Sequence, residues 1–174
     1  MKNLILIVLL SISYLSQAQT SSYQEVTPDL VEKREELKKE ITDNYLLLKN
    51  SLIISDSLSV KKNASQLKES LGKFKFKKLK LAQMNEAVKI RREIIELATE
   101  LIDTGNINKQ RNIFQTLSSK FWQIADKLKA KNVTLYLQVC PMTNAKWVSD
   151  SDKIENPFYP KNMLTCGEVK ASLK

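Results

Sequence analysis

Two short segments near the C-terminus contain the residues with the clearest chemical potential. Cys140-Pro141-Met142 and Met163-Leu164-Thr165-Cys166 each place a thiol and a thioether within a few residues of one another. Thiolate and thioether sulfurs are the ligands that soft metal ions prefer, and Cu(I) suits this set best. Ag(I) follows by the same chemistry. The candidate metal ligands are therefore Cys140, Met142, Met163 and Cys166.

The same residues also have a purely structural interpretation. In an oxidising compartment Cys140 and Cys166 are expected to form a disulfide, which the loop-entropy model values at roughly 3–4 kcal/mol. Met142 and Met163 are then ordinary gap-fillers in a small core. Spacing alone favours the disulfide over the metal site. A pair that binds metal only when reduced is a third possibility, and the residues by themselves leave all three open.

Aromatic residues surround both segments in the sequence. In a metal site, Trp147 is expected to cover the ion through a cation–π contact, and Tyr136, Phe158 and Tyr159 to keep water out. The alternative function is a disulfide-stabilised interaction module of the cell envelope without a metal. In that module exposed Trp147, Phe158 and Tyr159 are the expected anchors for a protein partner.

The composition excludes many familiar enzymes. The chain has 174 residues, no His and three Gly. Ser-His-Asp and Cys-His catalysis need an imidazole base, and the common catalytic zinc, iron and copper sites need imidazole ligands. Three glycines are too few for a glycine-rich phosphate loop. We therefore predict that the protein is not an enzyme.

The N-terminus has the layout of a secretory signal. Lys2 precedes an apolar run over residues 4–15, and Ser16-Gln17-Ala18 supplies small residues at a cleavage site. The run is shorter than the roughly 20 residues that a membrane-spanning helix needs. We predict that residues 1–18 are removed and that the mature chain is periplasmic or secreted, with no membrane span.

A helical region follows this signal. Residues 19–26 are polar and are expected to be flexible. Over residues 27–131 apolar side chains recur at steps of three, four and seven, which predicts four amphipathic helices. Short connections favour an antiparallel four-helix bundle in a mainly α fold. The predicted helix starts are Thr27, Asp56 or Ser57, and Asn106 or Asn108.

The pattern changes over residues 132–174. Apolar and polar residues alternate from Val133 to Val139, which predicts a short β segment. Turn-forming and aromatic residues follow Pro141. This part is too small to be a separate domain, so we expect a Cys/Met-containing segment that packs on the bundle.

A basic stretch lies between the second and third predicted helices. The chain carries a net charge of +9, and residues 73–81 interleave five lysines with four apolar residues. Such a stretch can bind a membrane surface or nucleic acid. Export, and the absence of Arg from residues 73–81, disfavour nucleic acid as a partner. We favour an exposed connection whose apolar residues dock on the bundle.

A set of spaced motifs lies within residues 136–169. Its residues are Tyr136, Cys140-Pro141-Met142, Ala145, Trp147, Ser149, Ile154, Asn156-Pro157-Phe158-Tyr159, Met163-Leu164, Cys166-Gly167 and Val169. With these motifs the chain resembles, over residues 30–170, a family of uncharacterised bacterial periplasmic helical domains, found alone or fused to CusB-type adaptors of copper/silver efflux pumps.

The resemblance implies copper handling in the cell envelope, with an efflux adaptor or another envelope protein as partner. Cys140-Pro141-Met142 is also similar to the heavy-metal-binding motif of such adaptors and of copper ATPases. In that motif a His commonly follows the Met, whereas Thr143 follows here. Pro160 stands where the larger family usually has Gly. The leading hypothesis is an exported Cu(I)-binding protein that buffers the ion or delivers it to an efflux system.

Overall fold

The computed structural model describes residues 27–174 of the chain. The predicted signal peptide (1–18) and the predicted flexible segment (19–26) lie outside these residues. Glu32–Lys174 forms one compact unit, and the structure described below is that of this unit together with the first turn of the first helix.

Four helices occupy most of the described part of the chain. They are α1 (Pro28–Ile53), α2 (Ser57–Lys73), α3 (Leu81–Asp103) and α4 (Ile107–Leu128). Short connections join successive helices, and α3 packs along both α2 and α4. The predicted mainly α fold with a four-helix bundle is confirmed. No helix within residues 27–174 is both long and apolar enough to cross a membrane.

Two of the predicted helix starts have side-chain caps. The Asp56 carboxylate accepts hydrogen bonds from the backbone N–H groups of Leu58 and Ser59 at the start of α2. The Asn106 side chain accepts in the same way from Asn108 and Lys109 at the start of α4. These bonds satisfy amides that have no partner within the helix, so each cap fixes where its helix begins.

The core lies between the helices and extends under the C-terminal segment. Apolar residues at helical spacing face inward and are almost completely buried, as the sequence periodicity predicts. The largest fully buried side chains are Trp147, Tyr45, Phe74, Phe114, Phe121, Ile41, Leu48, Leu52, Leu67, Leu71, Ile94 and Leu101.

The basic connection between α2 and α3 docks on the bundle through its aromatic residues. Phe74 is 0% exposed and Phe76 is 7% exposed. The Arg34 guanidinium lies 4.6 Å from the Phe74 ring centroid, and Arg91 lies 5.9 Å from that of Phe76. The prediction that apolar residues of this stretch dock on the bundle holds for Phe74 and Phe76, whereas Leu81 at its end is 77% exposed.

A three-stranded antiparallel sheet follows the bundle. Its strands are β1 (Leu135–Val139), β2 (Lys146–Ser149) and β3 (Glu168–Leu173), in the order β2-β1-β3. The sequence alternation predicted the segment that contains β1, which begins two residues later than Val133. The ladder between β1 and β3 has an irregularity between Leu137 and Gln138.

The edge strand β2 attaches the sheet to the bundle. The backbone N–H of Val148 donates to the hydroxyl of Tyr45 on α1 at 3.0 Å. That hydroxyl also lies 2.5 Å from the Ser118 hydroxyl on α4. This pair of hydrogen bonds fixes the outer edge of β2 to α1 and, through the Tyr45 hydroxyl, to α4.

Candidate functional site

Cys140 lies at the start of the tight loop that joins β1 to β2. Its backbone N–H donates to the Ala145 carbonyl at 2.9 Å, and the Asn144 N–H donates to the Cys140 carbonyl at 2.8 Å. Pro141 suits the first turn position because its φ is already restricted. Asn144 has a φ of 56°, a left-handed conformation that Asn tolerates. This closed loop holds the Cys140 side chain in a buried position.

Cys166 is positioned by a longer loop that the buried Asn156 side chain organises. The Asn156 amide oxygen accepts from the N–H groups of Phe158 and Tyr159, and its amide nitrogen donates to the Cys166 carbonyl at 3.1 Å. The Cys166 N–H donates to the Met163 carbonyl at 3.0 Å. One fully buried polar side chain therefore ties the two ends of this loop together.

The two loops bring both cysteines into contact. The Sγ atoms of Cys140 and Cys166 lie 3.4 Å apart, although the residues are 26 positions apart in the chain. An S–S bond is about 2.05 Å long. Both cysteines are free thiols in this structure, so the pair is a dithiol and the expected disulfide is not formed here.

The environment of the pair favours a thiolate at Cys140. Burial raises the pKa of the Cys140 thiol, but hydrogen bonds from the Thr143 hydroxyl, from Cys166 and from the backbone amides of Thr143 and Met142 outweigh it, and the pKa is lowered overall. The pKa of Cys166 is raised, chiefly because its thiol donates to Cys140 and also because it is partly buried. Of the two thiols, Cys140 is therefore the one that loses its proton more readily.

The two methionines lie on the loops that carry the cysteines, but their environments differ. Met142 is 74% exposed, and its backbone N–H faces the Cys166 sulfur. Met163 is partly buried and lines a cavity on the side of the loop that faces α4. The structure thus brings the two thiols together. Met142 and Met163 lie on the same two loops, the first largely exposed and the second in the wall of the cavity.

Trp147 lies under the sulfur-bearing loop and is completely buried. Its indole N–H donates to the Gln138 side-chain oxygen at 2.5 Å. A Cβ atom added at Gly167 would lie 2.8 Å from the Trp147 Cη2 atom, so only glycine allows this close approach next to Cys166. The expectation of an exposed Trp147 anchor is wrong, because the indole fills the core and its polar atom is satisfied there.

The remaining predicted aromatic residues have different environments. Phe158 is 7% exposed and packs at 5.9 Å from Phe114 and 6.1 Å from Trp147, measured between ring centroids. The expectation that Phe158 is exposed is therefore also wrong. Tyr159 is 41% exposed, as the interaction hypothesis expected, and Tyr136 is partly buried on β1.

Sequence reasoning did not identify the groups that hold this pair. Thr143 supplies hydroxyl and backbone donors to Cys140, and Asn156 orders the loop of Cys166. Asn before Pro is a turn signal that could have indicated the role of Asn156. Within residues 27–174, no group of three or more His, Cys, Asp or Glu side chains comes together in an arrangement that could hold a metal ion.

Comparison with known proteins identifies the helical part of the chain. Residues 41–132 match the model of a family described as "Protein of unknown function (DUF3347)". The chain belongs to the DUF3347 family. No curated protein and no solved structure matches this DUF3347 chain. The match ends before β1, so the family assignment rests on the bundle, and the cysteine pair lies C-terminal to the matched segment.

Proposed function

We propose that this DUF3347 protein is an exported Cu(I)-binding protein that buffers the ion or delivers it within the cell envelope, in association with metal efflux. Ag(I) would bind by the same chemistry. Cys140 and Cys166 are the principal ligands, and Met142 and Met163 supply thioethers. The proposal assigns no catalytic reaction to the chain.

The observation that carries the proposal is the 3.4 Å separation of two free thiols. A metal–thiolate bond is about 2.3 Å long in zinc sites, so one ion bonded to both sulfurs is within reach. Two soft sulfur ligands without a nearby carboxylate cluster favour a soft monovalent ion over Mg²⁺ or Ca²⁺, which prefer oxygen. The donor set therefore fits Cu(I).

The protonation of the pair also supports binding of a cation. Cys140 has a lowered pKa, and its sulfur is in hydrogen-bond contact with that of Cys166. A metal ion that binds both sulfurs displaces their remaining protons to solvent, and both become thiolate ligands. Backbone amides of Met142 and Thr143 stabilise the negative charge of the ligands, as they do in the metal-free pair.

Export and a link to efflux rest on the N-terminal sequence and on the motif resemblance. Residues 1–18 have the layout of a cleaved signal, which supports a periplasmic or secreted location. The Cys-Pro-Met and Met-Leu-x-Cys-Gly segments are similar to those of domains fused to CusB-type adaptors. An efflux adaptor or another envelope protein is the proposed partner.

A disulfide-stabilised interaction module is the second candidate. The same 3.4 Å separation favours it, since a shift of little more than 1 Å would bring the sulfurs to bonding distance. Of its expected anchors, Trp147 and Phe158 are buried, and Tyr159 remains partly exposed.

Competition for Cu(I) tests the proposal. The reduced protein is titrated with Cu(I) against a chromophoric chelator, alongside a Cys140→Ser/Cys166→Ser variant. We expect the variant to lose competition. Equal competition by both proteins would exclude the cysteine site.

The roles of the thioethers and of the disulfide need separate measurements. A Met142→Leu/Met163→Leu variant should bind more weakly than wild type, with Met84→Leu on α3 as the matched control. Intact mass with and without reductant reports the state of the cysteines in freshly exported protein. A fully oxidised pair together with no Cu(I) binding after reduction would favour the interaction module.

A further inference from the structure

A cavity of about 430 Å³ lies between the α1–α2 turn, the start of α4 and the loop after Asn156. Its volume is in the range of small-molecule sites. Ser55 lines it from the turn, Asn108 and Arg111 line it from α4, and Phe158 and Lys161 line it from the loop. None of these residues belongs to the cysteine pair, so the cavity is a separate candidate site.

Arg111 brings a buried positive charge to this cavity without a carboxylate partner. It is 9% exposed, and within residues 27–174 its hydrogen bonds all go to neutral acceptors. Burial lowers the pKa of Arg111, and no neighbouring negative charge opposes that effect. The guanidinium nevertheless stays protonated, so a buried charge lacks a counter-ion.

The donors of Arg111 are almost completely used. Nε donates to the Pro157 carbonyl at 3.0 Å, and Nη2 donates to the Leu52 carbonyl at 2.9 Å and to the Ser55 hydroxyl at 2.7 Å. Nη1 donates to the Asn108 side-chain oxygen at 3.2 Å. A guanidinium has five N–H groups, so one N–H of Nη1 remains for a ligand.

The other walls of the cavity indicate what kind of anion would fit. Lys161 adds an exposed ammonium group that makes no ion pair within residues 27–174. Ile107, Phe158, Tyr159 and Met163 add an apolar wall. A bare inorganic anion would leave this wall in contact with water only, whereas an organic acid would cover it.

We propose that this cavity binds a small organic carboxylate, with its carboxylate between Arg111 and Lys161 and its apolar body against Phe158 and Tyr159. The ligand supplies the counter-charge that the buried guanidinium lacks. Neither cysteine lines the cavity, although Met163, proposed above as a thioether ligand, contributes to its apolar wall. The carboxylate contacts come from Arg111 and Lys161, so binding of the acid does not require Cu(I).

Titration with benzoate, followed by calorimetry and by amide NMR shifts, tests this site. Benzyl alcohol has a similar apolar body without the charge, and inorganic phosphate has charge without the apolar body. We expect saturable binding of benzoate, with shifts at the amides of Asn108 and Lys161, and binding at least tenfold weaker for both other compounds. Equal binding of benzyl alcohol or of phosphate, or no saturable binding of benzoate, would overturn the proposal.

Charge variants locate the site within the structure. Lys161→Gln should weaken benzoate binding roughly fivefold to tenfold, since a charge-assisted contact is lost. Lys109→Gln removes an exposed charge from the same end of α4 without touching the cavity, and should change the affinity less than twofold. Equal effects of the two substitutions would contradict a direct contact between Lys161 and the bound carboxylate.

Two further variants separate this site from folding and from metal binding. Arg111→Lys keeps the charge but loses the fixed fork of donors, so it should weaken binding at least as much as Lys161→Gln if its circular dichroism is unchanged. If that variant does not fold, Lys161→Gln and the two comparison compounds decide. The Cys140→Ser/Cys166→Ser variant should bind benzoate like wild type, and loss of binding there would contradict an independent site.

Discussion

Removing the Tyr45 hydroxyl should detach the sheet from the bundle at one defined point. Tyr45 is 0% exposed, and its ring stacks on Phe121 with a centroid distance of 4.1 Å. Its hydroxyl accepts from the Val148 N–H and shares a hydrogen bond with Ser118. Burial raises the pKa of Tyr45 well above its ordinary value, so this hydroxyl stays protonated. Tyr45→Phe keeps the ring and deletes only these two hydrogen bonds.

The cost follows from the groups that lose their partner. The Val148 N–H belongs to a buried edge strand and has no other acceptor in place, and an unsatisfied buried group costs about 1–3 kcal/mol. Because the hydrogen bond to Ser118 is lost as well, we expect the free energy of unfolding to fall by roughly 2–3 kcal/mol. For a chain of this size each kcal/mol lowers the melting temperature by about 2–4 °C, so Tyr45→Phe should lower it by roughly 4–12 °C.

Thermal unfolding followed by circular dichroism measures this effect. Tyr159→Phe is the matched control, because Tyr159 is 41% exposed and, within residues 27–174, its hydroxyl has no hydrogen bond to another protein group. The control should change the free energy of unfolding by less than about 0.5 kcal/mol. A melting temperature for Tyr45→Phe within error of the control would refute the reasoning that this hydroxyl joins the two parts.

Two further predictions concern the cysteine loops. Because the pKa of Cys140 is lowered and that of Cys166 is raised, the first thiolate of the reduced protein should form at Cys140 as the pH rises. The ultraviolet absorbance of the thiolate over a pH series measures this step, which should move to higher pH in Cys140→Ser; an unchanged first step would contradict the assignment. Gly167→Ala places a Cβ 2.8 Å from Trp147 Cη2 and should cost about 1–3 kcal/mol in urea denaturation. Gly105→Ala, whose Cβ would meet no heavy atom within 4 Å, is the control and should not destabilise the fold.

The helical part of the fold was predictable because its determinants are local. A helix pairs each N–H with a carbonyl four residues away, and caps such as Asp56 and Asn106 act within three residues. Apolar periodicity then selects the buried face. The family match to residues 41–132 covers this same predictable region.

The sheet was only partly predictable. The alternation of apolar and polar residues predicted the segment that contains β1, which is the central strand of the sheet. In β3 all residues are exposed or only partly buried, so burial imposes no alternation on its sequence. Its place in the sheet depends on pairing with residues about 30 to 40 positions away, which a local pattern does not encode.

For Trp147 and Arg111, too, the sequence gives the residue type, and the packing of the chain decides its environment. Trp147 was predicted as a cover or an anchor from its residue type, but the Gln138 oxygen lets the whole indole be buried. Arg111 lies one turn before Phe114 on the buried face of α4. A polar residue on an apolar stripe was the available signal, but only the folded chain brings it the carbonyls of Pro157 in the loop and of Leu52 at the end of α1.

By itself, the sequence determined the four helices, two of their caps and the presence of two thiols and two thioethers near the C-terminus. Its N-terminal layout also predicts export. Only the tertiary structure decided that Cys140 and Cys166 meet, that the pKa of Cys140 is the lower of the two and that a cavity forms around Arg111. The physical reason is range: helix bonds and caps span a few residues, whereas these contacts join loops 26 or more positions apart that are oriented by packing on the bundle.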